Sequence, residues 1–326
     1  MTIQEIARMA QVSSAAVSRY LNHGSLSQEK RERIRAVIEE TDYRPSEYAR
    51  ALRTKRSRQI GVVVPQIDSE SIPRILAGIS QELDRKNYHF LLMNSSGSME
   101  KEVRMLASFA GSQVDGLILA ASRITAGHRE QIRKMPFPVV LVGQQTDICS
   151  CVYHNDYQAA QESMRHLLNT GVRHPAYLGV TRRDPAAGEA RFRGAKAALA
   201  EGGFSMEKIP QMQVDFTAAS GYQGMKKLLA AGERPDGVFC ASDLIAAGAM
   251  ACLRDWGRQV PEEVRVTGIG HGTVADLLNP RLTTVHYHYK TSGREAARML
   301  LELMENPRIP RKEKQLTVRL VVQESA

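Results

Sequence analysis

Four short runs, IGVVVP, YHFLLMN, VDGLILA and PVVLVG, are apolar without alternation, and amphipathic stretches over 72–87, 101–112 and 127–134 separate them. A strand with one wet face alternates apolar and polar residues. A strand apolar throughout must be covered on both faces. With helical stretches in between, the solution is a parallel sheet with helices packed on either side. The rhythm resumes after SCVYHND in PAYLGV, IPQMQV, DGVFCAS and VRVTGIG. Residues 59–326 are therefore expected to form an α/β core of two parallel-sheet subdomains, with the chain crossing between them near 155, 242 and 287.

The residues ahead of this core follow another pattern. Thr2 and Glu5 stand at capping-box spacing, and Ile3, Ile6, Ala7 and Ala10 share one helix face. Gln11 and Val12 make a short turn. Ser13 can cap a second helix with Val17 and Leu21 inward, leaving Ser14, Ala15, Ser18 and Arg19 outward. After Ser27 a third helix turns Ile34, Val37 and Ile38 inward. This arrangement predicts a three-helix, helix-turn-helix head over 1–45. A recognition helix enters the major groove of double-stranded DNA, where small and polar leading residues meet base edges. Arg19 can bond guanine or a phosphate. The alternative is a three-helix knob with no DNA role.

Charge supports the first reading. Residues 1–59 carry 12 Lys/Arg against 7 Asp/Glu, while the remaining 267 carry 32 against 28. A basic head suits a polyanion. Pro45 and Ser46 precede a segment, 47–52, that could form under two helical turns. So short a helix is marginal alone in water, and read by itself the segment is equally a basic linker.

The stretches TIQEIARMAQVSSAAVSRYLN and LSQEKRERIRAVIEETDYRPSEYARAL resemble the lactose-repressor (LacI/GalR) family of bacterial transcription regulators. The resemblance continues through PDGVFCASDLIAAGAM and NPRLTTVHYHY. It implies a homodimer that binds a palindromic operator and is controlled by a small sugar. It also implies a core like that of periplasmic sugar-binding proteins. Ser14, Ala15 and Arg19 would occupy base-reading positions. The DNA-facing set in the head is Thr2, Ser13, Ser14, Ala15, Ser18, Arg19 and Asn22. Residues 46–58 would be a hinge helix and linker. There Leu52 wedges into the minor groove, and Arg50, Arg53, Lys55, Arg56 and Arg58 lie near phosphates. YLGVTRRDPAAGEARFRG and LTTVHYHYKTSGREAA are most similar to repressors of sucrose and related disaccharide operons.

Ligands of open α/β sheets bind beyond the carboxyl ends of the strands, and two lobes would bring those ends together across a cleft. By position the candidates are Gln66, Asp68 and Ser71 in the first lobe, with Asp184, Arg191, Phe216, Ser242 and Asp243 in the second. An aromatic plate with carboxylates and an arginine suits a sugar, by stacking and by paired hydroxyl bonds. The resemblance places Arg191, Phe216 and Ser242 at effector-contacting positions. Asp243 could instead cap a helix, Phe216 fill a core, and Arg191 form a surface ion pair. Many family members carry an acid where GIGHG stands here. With Gly270 at that position, His271 or a first-lobe acid is expected to take its part. Three acids favour a neutral disaccharide, although Arg182 and Arg183 keep a sugar phosphate open.

Other chemistry is thinly represented. There is no GxSxG elbow, P-loop or strand-borne GxGxxG, so no enzyme and no cofactor is expected. His286 and His288 share a strand face but lack a third metal ligand. An α/β sugar-binding protein or enzyme with an incidental basic N-terminal domain is the competing reading. It would need an export leader or a catalytic motif. No charged-then-apolar leader and no membrane-length apolar run is present. Cys149, Cys151, Cys240 and Cys252 fit neither a disulfide framework nor a zinc site. A cytoplasmic protein is expected.

Overall fold

The computed structural model describes residues 1–22, 24–43 and 56–326 and divides into two compact units, Met1–Arg58 and Gln59–Ala326. The hinge positions Arg50, Leu52, Arg53 and Lys55 lie outside the described residues.

The head consists of α1 (Ile3–Met9), α2 (Ser14–Leu21) and α3 (Gln28–Thr41). Thr2 and Glu5 close the expected capping box: the Thr2 hydroxyl accepts from the Glu5 amide and the Glu5 carboxylate from the Thr2 amide, at 3.3 and 2.7 Å. Ser13 caps α2 through the Ala16 amide at 3.2 Å. Ile6, Ala7, Ala10, Ala16, Val17, Ile34, Val37 and Tyr43 form the core. The α1–α2 turn needs a left-handed residue, Gln11 at φ 50°, and leaves the carbonyls of the cap residue Ala10 and of Gln11 without helical partners. Arg33 of α3 supplies them. Its Nε and Nη2 donate to the Ala10 carbonyl at 3.0 and 2.7 Å, and Nη2 also reaches the Gln11 carbonyl. One cation thus fixes the turn that sets the angle between the first two helices.

The second unit is two lobes. The first holds β1 (Gln59–Val64), α4 (Ile72–Asp84), β2 (His89–Asn94), α5 (Met99–Ala110), β3 (Gly116–Ala120), α6 (Ala126–Lys134), β4 (Val139–Val142) and β5 (Ser150–His154). The second lobe holds α7 (Asp156–Asn169), β6 (Pro175–Gly179), a π-helical turn (Pro185–Ala190) and α8 (Arg191–Glu201). It continues through β7 (Gln211–Gln213), α9 (Ala218–Ala230), β8 (Gly237–Cys240), α10 (Asp243–Asp255), β9 (Arg265–Gly270), α11 (Thr273–Leu277) and β10 (Thr283–Tyr287). The chain then returns to the first lobe for α12 (Tyr289–Glu305) and β11 (Glu313–Leu316). It ends in the second with β12 (Val318–Val321).

Strand order is β11-β5-β4-β3-β1-β2 in one sheet and β12-β10-β9-β8-β6-β7 in the other. Every pairing is parallel except β10–β12. In the first lobe, three of the four runs are the central strands β1, β3 and β4, with β3 and β4 buried at every residue. YHFLLMN, expected to be covered on both faces, is instead the edge strand β2 and is partly exposed. The four cysteines are free and buried.

The crossings lie at Asn155, at His288 and at Thr317. The expected crossing near 242 is wrong. Ser242 joins β8 to α10, and both belong to the second lobe. The third crossing joins β11 to β12, two edge strands whose sequence, EKQLTVRLV, is charged and mixed. An edge strand pairs on one side only, so it need not carry the apolar signature that reveals the central strands.

In the first lobe α4 and α12 meet backbone to backbone. A Cβ on Gly78 would overlap the Lys290 carbonyl, and one on Gly293 would overlap the Ile75 carbonyl.

The head's dependence on Arg33 is directly testable. Arg33→Met should cost about 1–3 kcal/mol, the range for hydrogen bonds to charged groups and the exposure of their partners. Hydrogen exchange of buried head amides such as Val17 should quicken about 5- to 150-fold, with core amides unchanged.

Candidate functional site

Two surfaces carry the sequence candidates. On α2, Ser14, Ala15 and Arg19 are exposed and Ser18 is half-buried, opposite the buried Ala16 and Val17. The Arg19 guanidinium makes no ion pair with any described residue. Asn22 closes α2, its Nδ2 donating to the Ser18 carbonyl at 2.6 Å. Thr2 and Ser13 serve first as caps, each with its hydroxyl on a backbone amide.

The second surface is a cleft of about 280 Å³ between the lobes of the core. Its walls come from the carboxyl ends of strands, as expected for open parallel sheets. Gln66 follows β1, Ser122 follows β3, Gln144 follows β4 and His154 ends β5. Ser242 follows β8, and Tyr287 ends β10.

Arg191 organises the second-lobe wall. It is buried, with Nε donating to Asp156 Oδ1 at 2.8 Å and Nη1 to the Ala241 carbonyl at 2.5 Å. The Tyr287 hydroxyl donates to the same Asp156 oxygen at 2.8 Å, and its ring lies 5.3 Å from the guanidinium carbon. Nη2 has no protein partner among the described residues. Arg191 is therefore neither a surface pair nor free: it is fixed with one face of donors left over. Asp184 steers the π-helical turn that delivers it, its Oδ1 accepting from the Ala186 and Ala187 amides, both at 2.9 Å. Burial raises the Asp184 pKa, against the pull of Arg191 and these amides.

Ser242 and Asp243 divide the work differently from expectation. Ser242 is the helix cap, accepting from the Ile245 amide at 3.3 Å. Asp243 is a strut: its carboxylate accepts from the Thr284 hydroxyl at 2.5 Å and the Gly272 amide at 2.7 Å, tying β10 and the β9–α11 turn to α10. Burial pushes its pKa up to about 6, against those two hydrogen bonds. Phe216 is no core filler. It is 42% exposed and lies on the cleft wall.

Two candidates are misplaced. Asp68 is exposed on the outside of the turn after β1 and does not line the cleft. The acid that does is Glu70, whose Oε2 accepts from the Thr273 amide of the opposite lobe at 3.2 Å. His271 also points away. Gly270 and His271 both have positive φ, 136° and 50°, and this turn sends the imidazole toward His286 Nδ1 and Asp276 Oδ1, 3.0 and 3.2 Å away. Only its carbonyl matters to the lobes, accepting from Arg74 Nη1 at 2.8 Å. Ser71 lines the cleft as expected.

Asp156, His154, Tyr287 and Glu70 were not singled out from the sequence. The strand-end rule that selected the others would have flagged HND at 154–156. His154 stacks on Tyr287, with centroids 4.5 Å apart, and meets the edge of Tyr289 at 5.7 Å. Burial, with His288, Arg191 and His286 nearby, lowers its pKa to about 3, so the imidazole is neutral. Among the described residues no three metal-ligating side chains gather. No helix among them is long and apolar enough to cross a membrane.

Residues 2–46 match the family model for bacterial regulatory proteins of the lacI family, and residues 164–326 match that of the periplasmic binding protein-like domain. Catabolite control protein A of Priestia megaterium is 30% identical over 99% of this chain and 98% of its own length. The sucrose operon repressor of Staphylococcus xylosus is 31% identical over 93% and 94%. Among solved structures, the transcriptional regulator CelR in complex with cellobiose superposes with a TM-score of 0.77 at 27% identity, over the full length of both chains.

The Asp243 strut makes a pH-dependent prediction. Its folded pKa of about 6 lies above the ordinary 3.8, so its favourable contribution is complete below about pH 4 and is lost as pH rises through 6. Asp243→Asn removes this titration. The unfolding free energy of wild type minus variant, from urea denaturation, should fall by about 2–3 kcal/mol between pH 4 and 7.5. A difference independent of pH would show that the carboxyl is not held in its neutral range.

Proposed function

The chain belongs to the lacI family of bacterial regulatory proteins, and on that premise we propose that a neutral sugar bound in the interlobe cleft lowers the affinity of the helix-turn-helix head for its operator. The protein is a DNA-binding transcriptional regulator, not an enzyme. We read it as a cytoplasmic homodimeric repressor of carbohydrate-utilisation genes acting on a palindromic site.

The observation that carries the ligand class is the charge of the cleft. Its lining holds four carboxylates, Glu70, Asp156, Asp184 and Asp243, against the single guanidinium of Arg191. A phosphate there would meet net repulsion. Arg182 offers no relief, being paired with Glu189 at 2.7 Å and outside the cleft lining. The exposed ring of Phe216 offers a stacking face to a sugar, and Arg191 Nη2 offers donors to its hydroxyls. The relatives named for a sucrose operon and seen with cellobiose make these disaccharides the first ligands to try. The cleft is at the small end of ligand pockets, in keeping with a disaccharide or a smaller sugar.

The proposed control is a population shift. A ligand touching both walls favours one arrangement of the lobes, by no more than its differential affinity for the two. Residues 46–58 join the core to the heads, which must bind two half-sites together. In the head we assign base reading to Ser14, Ala15, Ser18 and Arg19, positioning to Thr2, Ser13 and Asn22, and operator contacts to Arg50, Leu52 and Arg53 in the joining segment.

Operator binding should weaken steeply with salt, since the contacts neutralise phosphates. On an operator selected from a palindrome library, Arg19→Ala should cost about 1–3 kcal/mol and relax one base position. A uniform loss on every sequence would make Arg19 a phosphate contact.

Fluorescence anisotropy of that operator, titrated with sucrose and cellobiose, should show a 5- to 150-fold loss of affinity, or about 1–3 kcal/mol of coupling. Phe216→Ala should raise the sugar concentration required by about 10-fold, the equivalent of 1.4 kcal/mol. It is cleaner than Arg191→Ala, which would strand Asp156. No response to any neutral sugar would refute the ligand assignment.

A further inference from the structure

We propose that His154 hydrogen-bonds a hydroxyl of the bound ligand at the floor of the cleft, making it a specificity-determining residue at the point where the chain passes between lobes; this rests on the neutral-sugar reading of the cleft.

His154 is the last residue of β5 and only 6% exposed, yet it lines the cleft. Among the described residues neither ring nitrogen has a hydrogen-bond partner, and Nε2 is buried without one. Buried polar side-chain atoms are overwhelmingly paired, and an orphan at a ligand cleft calls for an explanation. Its ring is already oriented by the face of Tyr287 and the edge of Tyr289. Holding an imidazole this firmly while leaving its nitrogens unpaired is a costly way to fill space. A phenyl ring would fill it with no polar group to satisfy.

The protonation state fits one class of partner. With a pKa held at about 3, the ring carries one N–H donor and one bare nitrogen acceptor. A sugar hydroxyl, itself both donor and acceptor, matches either nitrogen. An anion would match only the donor and would call for the charged imidazolium that burial beside Arg191 opposes. The next residue, Asn155, is the first lobe crossing, so a bond to His154 is made beside a joint of the core.

The test uses the full-length protein, with sucrose, cellobiose and ribose as probes in thermal-shift and calorimetric titrations. Free of sugar, His154→Phe should melt about 2–4 °C higher, because a buried unpaired group is gone. It should bind the sugar that wild type binds at least 10-fold more weakly. His154→Asn, which keeps a donor and an acceptor, should bind more tightly than His154→Phe. A lower melting temperature for His154→Phe would reveal a structural partner and overturn the proposal. So would unchanged sugar affinity in a protein whose wild type responds. A wild type that binds none of the three sugars would refute the neutral-sugar reading itself, and the inference with it.

Discussion

A guanidinium does not shed its charge in a protein, so a buried one dictates its surroundings. Arg191 is the first residue of α8 and 7% exposed. It is met by the first residue of α7, the carbonyl after β8 and the last residue of β10. Apolar packing between elements tolerates small slippage. Charge-assisted bonds with fixed fork geometry do not. Asp156 also stands directly after the first crossing between lobes. The group that shapes the ligand wall is thus bonded to the residue where that wall joins the other lobe.

How much of this could be read beforehand depends on how local the determining physics is. The capping box at Thr2 and Glu5 and the Ser13 cap involve residues three apart, and they were legible. So were the central strands, whose two-sided burial is written in runs such as VDGLILA and PVVLVG. The edge strands β2 and β7 are legible in YHFLLMN and IPQMQV, but β11 and β12 lie in the charged, mixed EKQLTVRLV, which carries no such run, and the Thr317 crossing is illegible with them. In the cleft, the strand-end rule located the right segments but not the direction of each side chain. Asp68 and Glu70 are two residues apart in one turn, and only the folded turn shows which faces inward. His271 failed for the same reason: two consecutive positive φ angles reverse it, and a sequence carries no mark for those at a histidine. Phe216 and Arg191 were legible by type and place, although the Asp156 and Ala241 partners of Arg191 lie 35 and 50 residues away.

The two surfaces differ in what they leave unsatisfied. On α2 the outward groups are solvated, and water can be exchanged for base edges or phosphate oxygens. In the cleft nearly every strong polar group is already engaged. Asp184 holds amides, Asp243 holds a hydroxyl and an amide, Asp156 holds Arg191 and Tyr287, and the Gln144 side chain donates to the Ala121 carbonyl. What remains is one guanidinium nitrogen of Arg191 and a short inventory of neutral groups. Recognition by such a set is shape-sensitive and neutral in character, because few of the charges present are free to answer a charge on the ligand.

The glycine contact between α4 and α12 bears on how movement propagates. Helices that touch through long side chains have slack, since rotamers can change while the axes shift. Gly78 and Gly293 leave nothing to rearrange: the two backbones are in contact, and separating or sliding them opens a gap no side chain can fill. The pair therefore behaves as a stiff two-helix plate. One of its helices begins immediately after the crossing at His288. The other carries Arg74 in its first turn, bonded to the His271 carbonyl of the opposite lobe. A shift of Arg74 would therefore reach the His288 crossing through touching backbones, not through side chains that can repack.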